Sequence, residues 1–287
     1  MSDAPEKQVE GLTSGVAPER WLEAFRRSVE VQRQIFRDHS GIAARTRYDG
    51  IGEGGDRTLV IDRLCEDSIF AELERLHAEG AEFRAIAEER GEVSFGSEDA
   101  PLRVVIDPID GSLNARRTIP CHSFSVAVLD GDSMADAVIG YIYEFGASEE
   151  FVAIRGQGAT LDGESVSVQP GDGLEVVAME ATRPERMLAA LESLQGKAYR
   201  IRTTGSIAVS LAYVAAGRFD GMLSTRHCRS VDAAAGQLIV REAGGALGFG
   251  DLELEATPLD LGARYHVIAS RTYPDLATLR EAQILLP

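Results

Sequence analysis

Lysine is almost absent from this chain: Lys7 and Lys197 stand alone, and arginine supplies the rest of the 29 basic residues. That bias fits a GC-rich genome or adaptation to salt and points to no mechanism. Positive charge is in short supply altogether. Against the bases stand 46 acids, for a formal net charge of −17, so the average surface repels nucleic acid and anionic membrane at long range. Neither is an expected partner. Cysteine is scarce too. Cys65, Cys121 and Cys228 are an odd number at wide spacing, which indicates neither a disulfide framework nor a zinc site and suits a reducing, cytoplasmic setting. No run approaches the roughly 18 to 20 apolar residues that a membrane span needs. The start, "MSDAPEKQVEGLTSG", has no apolar stretch behind a basic region and reads as a polar lead-in rather than a signal peptide. There is no internal repeat and no long linker.

What is present is an ordinary globular composition. At 287 residues, 44% hydrophobic and 26% charged, the chain can bury a deep core and hold a cleft, as one large domain or two sharing an interior. If the substrate is an anion, something local must reverse the field, and bound cations are the simplest device for a carboxylate-rich protein.

Hydrophobic spacing predicts a helix from Pro18 through Leu22, Phe25, Val29, Ile35 and Phe36, and a second over 64–77. Strand patterns follow at 83–89, 102–109, 123–130 and 136–145, with "LDGDS" as a hairpin turn between the last two. Later the rhythm changes: strands at 174–181, 199–203 and 265–270 alternate with helices at 184–195, 206–217 and 231–243. An α+β half joined to an α/β half is expected, divided near residue 150, with the cleft between them as the ligand site.

The chemistry concentrates in "VVIDPIDGSLN" (104–114). A strand delivers Asp107, Pro108 fixes the backbone, and the same turn brings Asp110 round with the Ile109 carbonyl between them. Oxygen-only clusters suit hard cations such as magnesium. Gly111 lets backbone approach a ligand, and the N–H groups of residues 111 and 112 can form a small anion-holding nest. The plain alternative is a solvated turn, since Asp, Pro and Gly are common turn residues. Glu88 and Glu89 close another apolar strand, Asp62 stands just ahead of a helix, and Asp232 opens the late helix. Asp62 and Asp232 also fit as ordinary helix caps.

Taken in order, "GDRTLVID", "AEE", "DPIDGSLN", "TGSIA" and "VDAAAGQLIVREAGG" resemble the inositol monophosphatase family, within the lithium-sensitive, magnesium-dependent phosphatases that include fructose-1,6-bisphosphatases. The resemblance implies a layered α+β and α/β sandwich of two subdomains, 1–150 and 151–287. Most metal ligands would lie on the first subdomain, and Asp232 and the substrate-side residues on the second. It implies Glu88, Asp107, the Ile109 carbonyl, Asp110 and Asp232 as ligands for two or three magnesium ions. Glu88 is preferred to Glu89 because the family uses the first of the paired acids. Asp62 and Ser112 would orient and deprotonate the attacking water, Ser112 standing where many relatives have Thr. Gly111 and Ser112 would hold phosphate through N–H groups, and Gly205 and Ser206 would line the alcohol side.

The expected activity is phosphomonoester hydrolysis of a small polyol or sugar phosphate. Inositol 1-phosphate comes first, with fructose 1,6-bisphosphate or histidinol phosphate as alternatives and a catalytically inactive phosphate-binding homologue as the contrasting class. Kinship also implies a homodimer and inhibition by lithium. Three departures from the family pattern stand out. Val231 replaces a frequent Trp, as in archaeal-type relatives that accept both inositol phosphate and fructose bisphosphate. Thr225 stands where animal enzymes grip inositol hydroxyls with an acid. Arg116 and Arg117 replace apolar or aromatic residues and have no assigned role. Arg226 and Arg229, with Arg200 and Arg202, are candidates for a second phosphate or are solvated arginines. The glycine-rich stretch 48–56 would close over the site and help hold a further magnesium through Glu53, or is a plain flexible loop.

Overall fold

Pro18 opens the first helix because its ring presets the backbone and its missing N–H goes unused in a first turn. The computed structural model describes residues 15–51, 57–169, 171–180 and 184–284. In chain order its elements are α1 (Pro18–Asp38), α2 (Ile42–Arg45), β1 (Tyr48–Ile51), β2 (Arg57–Leu59), α3 (Val60–Ala78), β3 (Phe83–Ala87), β4 (Gly91–Phe95), β5 (Leu102–Asp110), α4 (Ser112–Arg117), β6 (Ser123–Asp130), β7 (Ala137–Glu144) and β8 (Glu149–Ile154). Then come β9 (Gly158–Leu161), β10 (Glu164–Val166), β11 (Leu174–Glu180), α5 (Pro184–Leu194), β12 (Ala198–Arg202), α6 (Ile207–Ala215), β13 (Gly221–Ser224), α7 (Ser230–Glu242), β14 (Ala246–Gly248), β15 (Ile268–Ser270) and α8 (Tyr273–Ile284).

Two larger sheets organise the chain. The first has eight strands in the order β10-β9-β8-β7-β6-β5-β3-β4, antiparallel except where β3 runs parallel to β5. The second has five, in the order β12-β11-β13-β15-β14, with β11 parallel to both neighbours. Alternation along β5 and β6 divides the interior. Val104, Ile106, Phe124 and Val126 pack with Trp21, Phe25, Ile69 and Leu73 of α1 and α3. Val105 and Ala127 face the other way, toward α6 and α7. On the far side of the five-stranded sheet, Val177, Met179 and Leu223 pack with Leu194 of α5 and Leu279 of α8. The layers therefore run helix pair, sheet, helix pair, sheet, helix pair, a sandwich of the expected α+β and α/β kind.

Close approach in the middle layer depends on small residues. A Cβ added to Gly140 of β7 would stand 2.7 Å from the Ala235 carbonyl oxygen, so α7 lies directly on the sheet there. That contact sets the depth of α7, and with it the reach of Asp232.

Several short elements escaped the hydrophobic pattern. β4, β8, β9 and β10 carry mixed polar residues and glycines, and sheet pairing rather than local propensity decides them. The late helix α8 buries Leu276, Leu279 and Ala282, a three-residue spacing obscured by polar neighbours. The strand expected over 265–270 begins only at Ile268, Tyr265 forming an isolated bridge with Cys228. Residue 150 lies inside β8, and the chain changes sheets between Val166 and Leu174.

Candidate active site

β5 is buried along its whole length and carries Asp107 and Asp110 at its end. Its pairing with β6 slips between Asp107, opposite Ser125, and Asp110, opposite Ser123. That gap holds three steps against two, a bulge that accommodates Pro108, which has no N–H for the ladder. Asp107 lies on the face of Val105, toward α7, and the bulge re-aims Asp110. Asp107 Oδ1 accepts the Ile109 N–H at 3.0 Å, and Ser112 Oγ donates to the Ile109 carbonyl at 2.9 Å. Gly111 takes φ 90°, and an added Cβ would meet the Cys121 carbonyl oxygen at 3.1 Å, so the turn has neither the conformation nor the room for a side chain.

Asp232 arrives from across the layer. It is the third residue of α7, where its Oδ2 accepts the Arg229 N–H at 2.7 Å and the helix dipole favours its charge. It does cap the helix. Its carboxylate also converges with two others: one oxygen each from Asp107, Asp110 and Asp232 lies within 4.8 Å of the rest, and all three residues are buried. Asp62 sits inside the first turn of α3 rather than ahead of it, with Oδ2 near the Leu59 N–H at 3.4 Å. Glu88 and Glu89 follow β3, parallel to β5, so that strand pairing brings them beside Asp107.

Burial and mutual repulsion set the electrostatics. Desolvation, then Glu88, Asp110 and Asp232, push Asp107 well above the usual carboxylate range. Desolvation and Asp232 raise Asp110 to about 7, against hydrogen bonds from Ser206 Oγ and the Ala208 N–H. Desolvation and then Glu89 and Glu88 raise Asp62 to about 8. Among the described residues Asp62 Oδ1 is buried with no hydrogen-bond partner. Three clustered, buried carboxylates, with the orphaned Asp62 oxygen acted on by Glu88 and Glu89, fit hard divalent cations, which supply the missing positive charge to an all-oxygen donor set.

A cavity of about 390 Å³ is lined by Glu88, Asp107, Ile109, Asp110, Gly111, Ser112, Gly205, Arg226 and Asp232, among others. A second, of about 350 Å³, shares Glu88 and Ser112 with it and is walled by Asp62, Glu89, Tyr48 and Arg116. Most of the expected site residues thus meet. Ser206 does not line the cavity. It is fully buried as the N-cap of α6 and spends its hydroxyl on Asp110. Arg226 lines the cavity 3.9 Å from Asp232, while Arg229 pairs with Glu88. Arg200 and Arg202 bond their own neighbours on exposed β12, Arg200 lying 3.7 Å over the Tyr199 ring; they belong to the solvated reading. Glu53 lies outside the described residues.

Three contributors were not foreseen. Glu180 ends β11 buried and accepts from the Thr204 and Gly205 N–H groups at 3.0 and 2.9 Å, holding the turn that faces the cavity. An acid at the end of a parallel strand was its available signal. Glu66, one turn after Asp62, accepts the Glu89 N–H at 3.0 Å and is raised to about 7, chiefly by burial. Arg116, left without a role by the sequence, donates to the Tyr48 hydroxyl at 3.0 Å and so ties α4 to β1.

A layered sandwich that gathers buried carboxylates at one cavity is the architecture of a phosphatase of small phosphorylated metabolites. The chain belongs to the inositol monophosphatase family, whose sequence profile matches residues 21–285. It is 40% identical over 198 residues to the fructose-1,6-bisphosphatase/inositol-1-monophosphatase of Thermococcus kodakarensis, covering 68% of this chain and 71% of that one. With the protein of the same name from Archaeoglobus fulgidus it shares 31% identity, over 90% of this chain and 98% of the other. Its fold matches the extragenic suppressor protein suhB of Bartonella henselae with a TM-score of 0.76 at 28% identity, covering 92% of this chain and 98% of that one.

Proposed function

We propose that the protein is a magnesium-dependent phosphomonoesterase with inositol 1-phosphate as its first substrate, acting as a cytoplasmic homodimer. The observation that carries this reading is the convergence of Asp107, Asp110 and Asp232 within 4.8 Å in a buried setting. Glu88, Asp107, the Ile109 carbonyl, Asp110 and Asp232 would hold the cations. Bound there, they would polarise the phosphoryl group and lower the pKa of the attacking water. The chain does the rest. Asp62 accepts the proton at Oδ1, with Ser112 orienting the water beside it. The N–H groups of Gly111 and Ser112 hold phosphoryl oxygens, and Gly205 and Arg226 face the leaving alcohol. In this reading the eight-stranded and five-stranded sheets with their helices serve as the two subdomains, with the site between them and the division falling between Val166 and Leu174 rather than at residue 150.

Fructose 1,6-bisphosphate is the second reading, supported at one position. Thr225 is buried and its N–H donates to the Glu180 carbonyl at 2.7 Å, so no acid stands there to grip inositol hydroxyls, whereas Arg226 lines the cavity. Relatives named for both activities support the same pair of substrates. Phosphate release from a panel of inositol, sugar and histidinol phosphates tests the proposal. Turnover with magnesium, loss in excess EDTA and recovery on adding magnesium are expected. Full turnover in EDTA would overturn cation dependence, and no release from any substrate would favour an inactive homologue.

A further inference from the structure

Helix α7 carries Asp232 at one end and Arg241 in its last turn at the other. Arg241 lines a further cavity, of about 230 Å³, which shares no residue with the two at the carboxylates. Arg280 of α8 enters the same space. Among the described residues neither guanidinium has a carboxylate within 4.0 Å. Arg241 Nη1 donates to Gln237 Oε1 at 3.2 Å and Arg280 Nη1 to the Gly250 carbonyl at 2.9 Å, so most of the five donors on each fork remain to be used. Burial and then the nearby Arg155 hold Arg241 below its usual value, with Glu242 and Glu255 offsetting them only in part. Arg155 itself donates to the Ala137 carbonyl at 2.8 Å and not to an acid. In a chain of 46 acids and 29 bases, positive charge without a bonded counter-ion is out of character.

Part of this has a structural explanation. A cation in the last turn suits the dipole of α7, and Arg280 lies against β14, where a Cβ on Gly248 would stand 2.6 Å from its Nη2. That explains where the arginines sit but not the space they share or its walls. Phe249 is 1% exposed, while Leu252 and Tyr273 are 42% and 78% exposed, so an apolar wall runs from the interior out to solvent. Asp251 and Glu253, both exposed, also line the cavity and would repel a dianion. We propose that this cavity is a second, non-catalytic ligand site, taking a small monocarboxylate with an apolar body. The carboxylate meets Arg241 and Arg280, whose planar forks match it two bonds at a time. The body lies along Phe249, Leu252 and Tyr273, and the single charge limits repulsion from the two acids. The inference stands apart from the phosphatase reading and uses none of its residues.

Fluorine NMR titration of the full chain with para-fluorobenzoate tests it without reference to turnover. Binding should saturate with a Kd of about 1 mM or tighter, the scale for so small a ligand, and the Kd should be the same in EDTA and in excess magnesium. Arg241→Gln and Arg280→Gln should each weaken it by about tenfold or more, the loss expected of a charge-assisted bond. The neutral isostere para-fluorobenzamide should bind the wild type at least about tenfold more weakly for the same reason. Absence of saturable binding overturns the proposal. So does equal affinity for the benzamide, which would mark an apolar hollow with no anion recognition. A Kd that changes with magnesium, or one untouched by both arginine variants, would place the probe in the carboxylate cavity and overturn it as well. If Arg241→Gln fails to fold by circular dichroism, Leu252→Asp takes its place, since its side chain is exposed. A new negative charge there should weaken binding several-fold, and unchanged affinity overturns the proposal equally.

Discussion

Removing divalent cations should make this protein less stable as pH rises from 6 to 8, and magnesium should remove that dependence. Asp62 moves from an ordinary 3.8 to about 8 in the fold, Glu66 from 4.5 to about 7 and Asp110 from 3.8 to about 7. These are acids with raised folded-state values. Between their unfolded and folded values the folded chain binds more protons than the unfolded one, so stability is present at the acid end and lost as pH rises through about 7 and 8. At about 1.4 kcal/mol per pKa unit, Asp62 loses roughly 2 kcal/mol between pH 6 and 8, and the other two about 1 kcal/mol each if independent. They share one field, so about 3 kcal/mol is the scale for the group. At roughly 2–4 °C per kcal/mol for a chain of this order, Tm in EDTA should fall by about 6–12 °C from pH 6 to pH 8.

The single tryptophan, Trp21, is fully buried and reports unfolding by fluorescence. Melting curves at pH 6, 7 and 8 and fixed ionic strength, in EDTA and in excess magnesium, make the test. Self-repulsion from the net charge of −17 acts in both series, so the difference between them isolates the site. Burial depresses His122 from 6.5 to about 4, so it already offsets a minor part of the carboxylate effect at pH 6, in both series alike. Its folded value lies below its unfolded one, so acid between those values destabilises through it, opposite in sign to the carboxylates. Equal Tm at pH 6 and 8 in EDTA, or the same slope with and without magnesium, would refute the reasoning.

Ser206→Ala removes the hydroxyl that donates to Asp110 and should cost roughly 10- to 100-fold in magnesium affinity or activity, with about 1 kcal/mol of stability lost besides, because the same hydroxyl caps α6 by accepting the Val209 N–H. Asp110→Asn should cost more than that while leaving the fold intact by circular dichroism, and wild-type turnover would show the site assignment to be wrong. Gly140→Ala places a methyl 2.7 Å from the Ala235 carbonyl, a backbone atom that cannot swing aside. Overpacking of this kind costs about 1–3 kcal/mol, read as a lowered Tm, and since α7 carries Asp232 activity should fall with it. An unchanged Tm would mean that α7 is not seated on β7 as described. Glu180→Ala would leave the Thr204 and Gly205 N–H groups without their acceptor, costing about 1–3 kcal/mol for each such group that stays buried and raising KM more than it lowers kcat. An unchanged KM would remove Glu180 from the account of the cavity wall.

How far the chain was legible depends on where each residue's constraint comes from. Strand β6 matches its predicted span of 123–130 because a continuous apolar run with β-branched residues satisfies both faces of a central strand. β9 and β10 carry no such run, and only their pairing with β8 and with each other defines them. Asp107 and Asp110 were legible as a pair because only Pro108 and Ile109 separate them. Asp232 was legible only as a helix cap, which it is, or through kinship. Nothing within its own segment says that α7 rests on Gly140 and meets the end of β5. Ser206 and Arg229 show the same limit. Ser206 was expected to face substrate and Arg229 either to meet a second phosphate or to be solvated, yet each is turned inward to an acid from a distant segment, Asp110 or Glu88.

Composition and local pattern therefore determined that the chain folds, where its main strands and helices run, and that oxygen ligands in an acid-rich turn would need cations. Which acids share a pocket, which arginine opposes them and which hydroxyl is consumed in holding them were decided by tertiary structure. The reason is physical: carboxylate repulsion, desolvation and ion pairing act over a few ångströms through space, and only the stacking of helix on sheet brings Asp107 and Asp110 to Asp232, and Glu88 to Arg229, within that range.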